Sequence, residues 1–137
     1  MGDIEIKEIT GKETQYIRHI VMWPDQSPEF VVLPEDDFGT HFGVFASDKL
    51  VAVISLFFEG EACQFRKLAT MFDAQNKGYA SMLIQHTIDF AKIKGARILW
   101  CNARMEKTSF YQKFGFENSG LPFEKHGQVY IRMETLL

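Results

Sequence analysis

Residues 64–80 read QFRKLATMFDAQNKGYA, and the fold turns on this stretch. Its first part, up to Met71, has the composition of a strand. Its last part opens a long amphipathic segment. From Lys77 to Lys94 the apolar residues Ala80, Leu83, Ile84, Ile88 and Ala91 recur near i, i+3, i+4, i+8 and i+11. That spacing is one face of a helix of about four turns. Lys92 and Lys94 suit the negative end of its dipole, and Gly95 suits its cap. A strand therefore runs through a turn into a helix N-terminus. The first amides of a helix have no internal partner, and the dipole places partial positive charge there. Such an end holds phosphate. Gly78 lets the backbone approach a ligand closely, Ala80 keeps the approach open, and Lys77 adds charge. Taken alone, the turn reads more simply as a plain strand-to-helix connection, because one glycine is weak evidence.

Working outward, the segments 41–46 and 50–58 are β-rich and flank Ser47-Asp48-Lys49, which reads as a hairpin. Glu59-Gly60-Glu61 makes the next turn, and Ala62 to Met71 the third strand of an antiparallel meander. Upstream, Ile4, Ile6 and Ile9 alternate as a first strand. Thr10 and Glu13 fit a capping box, and Tyr16, Ile17, Ile20 and Val21 continue at helical spacing. Trp23-Pro24 should end that helix. Residues 25–40, with Glu35-Asp36-Asp37, form a long irregular connection. Downstream lie a buried strand at 98–103, a short helix at 106–114 stopped by Gly115, and a closing strand at 129–135. The order β-α-β-β-β-α-β-α-β predicts an α/β (α+β) domain with a mixed, mostly antiparallel sheet.

Composition bounds the function. The chain has 137 residues, is 46% hydrophobic and 24% charged, and is read as one domain spanning 1–137. Aromatics make up 14%, mostly the 13 Phe, which reads as a dense core, with a groove for a long organic ligand as the second reading. A net charge of −3 with no basic block argues against nucleic-acid binding. The apolar run Leu50 to Phe58 is too short to span a bilayer, so no membrane association is expected. The opening MGDIEIKEIT lacks a signal-peptide core, and Ile6 spoils a myristoylation pattern. Cys63 and Cys101 form no CxxC pair and read as small core residues. His19, His41, His86 and His126 lack ligand spacing, so no metal is expected. A cytoplasmic protein is the expectation, and a homodimer is left open.

A second segment carries chemistry: Phe110-Tyr111-Gln112-Lys113-Phe114-Gly115-Phe116. A phenol placed after a buried strand can give a proton to a departing thiolate, although by themselves Tyr111 and Phe110 read as core aromatics.

Together the two segments resemble the GNAT superfamily of N-acetyltransferases. The family's loop is Gln or Arg, two residues, Gly, one residue, then Gly or Ala, and Gln75, Gly78 and Ala80 match it. The FYQKFGF segment follows in the family's order, and the resemblance is specific over Gln64 to Phe116. It implies a single domain whose central strands splay into a V-shaped slot. It implies acetyl-CoA as co-substrate, with the amides of Gln75, Asn76, Lys77, Gly78, Tyr79, Ala80 and Ser81 around the pyrophosphate. Leu68, Ala69 and Thr70 would pair with the pantetheine arm, and an amide near Leu68 would hold the thioester carbonyl. The amine of a small molecule would attack directly in a ternary complex, with Tyr111 as general acid.

There are departures. Members acting on histone lysines carry a Glu base eleven residues before the loop's first residue, where this chain has Gln64. The family's frequent Asn and Ala, seven and four residues before the tyrosine, are Arg104 and Lys107 here, with Asn102 two residues further upstream. The base is unassigned among water, His41, Glu59, Glu61 and the Glu35-Asp36-Asp37 acids. Period two puts Gln64, Arg66 and Leu68 on one strand face. If that face is the slot, Arg66 grips a substrate carboxylate, helped by Arg18 and Arg104; pairing of these arginines with local acids is the alternative. Gln64, Arg66 and Asn102 are the acceptor-side candidates. The missing Glu also admits a non-catalytic acyl-CoA-binding sensor module.

Overall fold

The computed structural model describes residues 3–137; the Met1-Gly2 start, read above against myristoylation, lies outside them. Strand β1 (Ile4–Ile9) leads into helix α1 (Gly11–Ile17). The capping box forms as read: the Glu13 amide donates to the Thr10 hydroxyl at 3.2 Å, and the Thr10 amide donates to the Glu13 carboxylate at 2.9 Å. The helix does not continue regularly to Val21. It widens into one π turn, Arg18–Met22, and stops at Trp23 ahead of Pro24. Residues 25–39 hold two 3₁₀ turns, Pro28–Val31 and Pro34–Phe38.

The meander is β2 (Thr40–Ala46), β3 (Lys49–Glu59) and β4 (Ala62–Thr70). Helix α2 (Tyr79–Ile93), β5 (Ile98–Arg104) and α3 (Thr108–Gln112) follow. The chain closes with β6 (Glu117–Asn118), β7 (Phe123–Lys125) and β8 (Gln128–Leu136). Strands β6 and β7 are absent from the sequence reading, being two and three residues long. The sheet order is β1-β2-β3-β4-β5-β8-β6, with β7 also on β8. All neighbours are antiparallel except β4 and β5.

That parallel pair decides the architecture. It is joined only from Ala62↔Ile98 to Gln64↔Trp100. Beyond that point the strands diverge, so the β5-facing edge of β4 from Phe65 to Thr70 has no strand partner. One face of the sheet packs on α2, whose Leu83, Ile84 and Ala91 are fully buried with Phe42, Ile54, Leu56, Leu99 and Met133. Removing Leu83 or Ile84 from water contributes roughly 1.5–3 kcal/mol each. The other face packs Ile9, Val53 and Ala69 against Ile17 of α1.

The period-two reading of β4 fails at a β-bulge. Ser55 pairs with Arg66 and Val53 with Ala69, so Lys67 and Leu68 stand together opposite Ile54. The extra residue reverses the alternation. Leu68 packs with Cys63 and Phe65 on the α2 side, and Ala69 faces the α1 side. Leu68 is therefore not on the face of Gln64 and Arg66.

Candidate functional site

The turn before α2 is built by two left-handed residues. Asn76 has φ +63° and Gly78, the N-cap of α2, has φ +86°. A short 3₁₀ turn, Phe72–Ala74, delivers the chain to it. A Cβ at Gly78 would meet no atom within 4 Å, so the outer side of the turn is open. The Gln75 side chain donates to the Thr70 carbonyl at 3.1 Å and ties the turn to the end of β4.

A cavity of about 460 Å³ runs from this turn into the opening between β4 and β5. Leu68, Ala69, Thr70, Gln75, Asn76, Gly78, Tyr79, Ala80 and Ser81 all line it, as do Tyr111 and Asn102. Lys77 does not; its side chain is exposed outside the cavity. Tyr111 stands among Phe65, Phe110 and Phe116, with ring centroids 5.6, 5.2 and 6.0 Å away. Burial is the main cause of a raised Tyr111 pKa, reinforced by nearby Cys101 and opposed by Arg104. The phenol therefore keeps its proton across the working pH range. Cys101 also lines the cavity, but burial pushes its thiol up to about 12, as it does that of Cys63. Neither is a thiolate nucleophile at neutral pH.

A second cavity of about 230 Å³ adjoins the first; Met22, Phe65, Arg66, Lys67, Asn102 and Tyr130 line both. Gln64 lines only this one. Its outer wall comes from the long connection and from the β7–β8 hairpin: Trp23, Phe30 and His126 meet edge to face at 5.1–5.8 Å, with Leu33 and Phe123 beside them. The sequence reading missed these residues, since nothing local links positions 23–33 to 123–130. It also missed Lys67, whose position in the wall follows from the bulge.

The arginine assignments change. Arg18 is fully buried and structural. Its two terminal nitrogens donate to the Asp36 carboxylate at 2.8 and 2.9 Å, to the Val31 carbonyl at 3.0 Å and to the Ser55 hydroxyl at 2.8 Å. Arg66 donates to Glu35 at 2.7 Å, so the local-acid alternative holds for it. Arg104 lies over Trp23 at 5.8 Å from the ring centroid. Burial would raise the Asp36 carboxyl, but hydrogen bonds from Arg18 and the Leu33 amide, with the charges of Arg18 and His41, outweigh it and hold it low. Gly11 fits beneath this network because a Cβ there would come within 2.9 Å of Asp36 Cβ.

The proposed bases fare poorly. Both His41 nitrogens are engaged, Nδ1 with the Ser55 hydroxyl at 2.7 Å and Nε2 donating to the Asp36 carbonyl at 2.9 Å. Glu59 and Glu61 are exposed at the closed end of the β4–β5 pair, where Glu61 lies 3.7 Å from Arg97. Asp36 is held by Arg18, Glu35 by Arg66, and Asp37 is exposed. Among the described residues no carboxylate lines either cavity. Among the described residues no group of three or more His, Cys, Asp or Glu could hold a metal ion, and no helix is long and apolar enough to cross a membrane.

The splayed parallel pair and the glycine-capped turn at its open end are the arrangement that the resemblance to the GNAT acetyltransferases implies. The chain belongs to that family: the acetyltransferase (GNAT) domain model matches residues 29–137. It is similar to YitI of Bacillus subtilis (strain 168), an uncharacterized N-acetyltransferase, with 32% identity over 90% of this chain and 89% of that one. Its fold is also that of a Lactobacillus plantarum protein described as an N-acetyltransferase (TM-score 0.88, 15% identity, 98% of each chain). A Bacillus subtilis acetyltransferase solved in complex with CoA shares it too (TM-score 0.75, 20% identity, 100% of this chain and 99% of that one). The protein is thus an N-acetyltransferase.

Proposed function

We propose that residues 1–137 form one domain that moves an acetyl group from acetyl-CoA to the amine of a small molecule, by direct attack in a ternary complex. The observation that carries this reading is the continuous cavity from the Gly78 turn to Tyr111, flanked by an unpaired edge of β4. In it, the amides at the start of α2 receive the pyrophosphate, and the free edge of Leu68–Thr70 receives the amide groups of the pantetheine arm. The Leu68 amide, next to the bulge, donates to the thioester carbonyl as negative charge develops there. The amine enters through the smaller cavity. Tyr111 protonates the departing sulfur. Direct attack is favoured over an acyl-cysteine because Cys101 stays a thiol.

Without a carboxylate in either cavity, the amine arrives as its free base or releases its proton to water. A small acceptor suits the cavity that would take it, about 230 Å³. The test is release of coenzyme A thiol by the purified protein across a panel of amines. Turnover with a small amine supports the reading. Tight coenzyme binding with no turnover of any amine would replace it by the acyl-CoA sensor.

A further inference from the structure

We propose that the acceptor is a small amine that also carries an oxyanion, a carboxylate or a phosphate, held by Lys67 and Lys125 and packed against an apolar wall. The inference rests on the acetyl-transfer reading, since it concerns the cavity beside the thioester slot. The protein as a whole is acidic, with a net charge of −3. The acceptor cavity is the reverse: Arg66, Lys67, Lys125 and His126 line it and no acid does. A purely cationic acceptor would enter against that field. Arg66 has its carboxylate in Glu35. Lys67 and Lys125 have none, since neither is in any ion pair among the described residues.

The backbone supports the same assignment. Lys67 has φ +58° inside β4, a conformation that a glycine adopts without strain. A lysine rather than a glycine stands at this strained position of the bulge, in the wall of the cavity. Burial first, then the charges of Arg66, Arg18, Lys125 and Arg104, push the Lys67 ammonium down to about 8. A bound oxyanion would relieve the charge part of that penalty. Lysine serves as a point charge for either a carboxylate or a phosphate. Trp23, Phe30 and His126, packed edge to face on one another, line the same space.

The experiment titrates matched amines into protein saturated with coenzyme A, so preference is read as affinity whether or not an amine turns over. One pair is para-(aminomethyl)benzoate against para-methylbenzylamine; the other is O-phosphoethanolamine against ethanolamine. The expected result is at least tenfold tighter binding of the charged member of one pair, which also says whether carboxylate or phosphate is meant. Lys125→Gln and Lys67→Met should each erase most of that preference, while Lys125→Gln leaves coenzyme affinity unchanged. Equal affinity within both pairs, or a preference that survives both substitutions, overturns the oxyanion proposal and leaves acetyl transfer standing. Failure of acetyl-CoA itself to bind removes both readings.

Discussion

Replacing Arg18 by Met tests what holds the outer wall of the smaller cavity together. The guanidinium is fully buried and makes four hydrogen bonds, two of them to Asp36. It joins the π turn to the loop carrying Leu33 and Asp36 and to Ser55 of β3, and so fixes the wall on which Phe30 and Leu33 sit. Removing one partner of such a pair leaves the other charged and buried, at a cost of about 3–5 kcal/mol. For a chain of this size that lowers the melting temperature by roughly 10–20 °C. Urea titration of Arg18→Met supplies the number. The companion Arg18→Met/Asp36→Leu should recover most of the loss, because an apolar pair leaves no buried charge. The pH dependence has a definite sign. In the native protein Asp36 ionises below its unfolded value of 3.8, so its contribution is present above that pH and is lost as acid protonates it. Without Arg18, burial dominates and the carboxyl pKa rises above the unfolded value. The deficit of the variant should then shrink as pH falls toward 4. A loss under about 1 kcal/mol, or a deficit that grows in acid, would refute the reasoning.

Other outcomes follow from the same geometry. Tyr111→Phe should lower kcat about tenfold or more with coenzyme affinity intact, since only proton donation in the transition state is removed; steady-state kinetics and a binding isotherm check it. Gly78→Leu should raise the acetyl-CoA Kd at least tenfold, about 1.4 kcal/mol, by forcing a side chain onto φ +86° at the open turn. Lys67→Met should stabilise the fold at neutral pH. The native pKa of about 8 lies below the unfolded 10.5, so the unfolded chain holds more protons in between and wild-type stability rises with pH there, a rise the variant lacks in urea melts. For an oxyanion-bearing acceptor, affinity should fall above about pH 8 as Lys67, faced by Arg66, Arg18, Lys125 and Arg104, loses its proton.

What could be read from the residues alone was whatever is local. The capping box at Thr10–Glu13 lies within one turn of chain, and α2 announces itself by apolar spacing and a glycine at each end. The GNAT assignment drew on that local turn and on a second segment some thirty residues away. The bulge at Lys67 has no such signal: a lysine between Arg66 and Leu68 looks like ordinary alternation, yet its positive φ turns Leu68 to the other face. Arg18 was open to two readings, a helper to Arg66 or a partner of a nearby acid, because the groups it does bind stand 18 and 37 positions away in sequence. The smaller, basic cavity joins residues from four distant parts of the chain, which only the folded sheet brings together.

The most direct test of the whole account is isothermal titration of acetyl-CoA into the wild-type protein and into Gly78→Leu. Saturable one-to-one binding in the micromolar range, weakened at least tenfold by the substitution, is the predicted result. No heat of binding at millimolar ligand, or equal affinity in the two proteins, would contradict the claim that the turn leading into α2 receives the coenzyme.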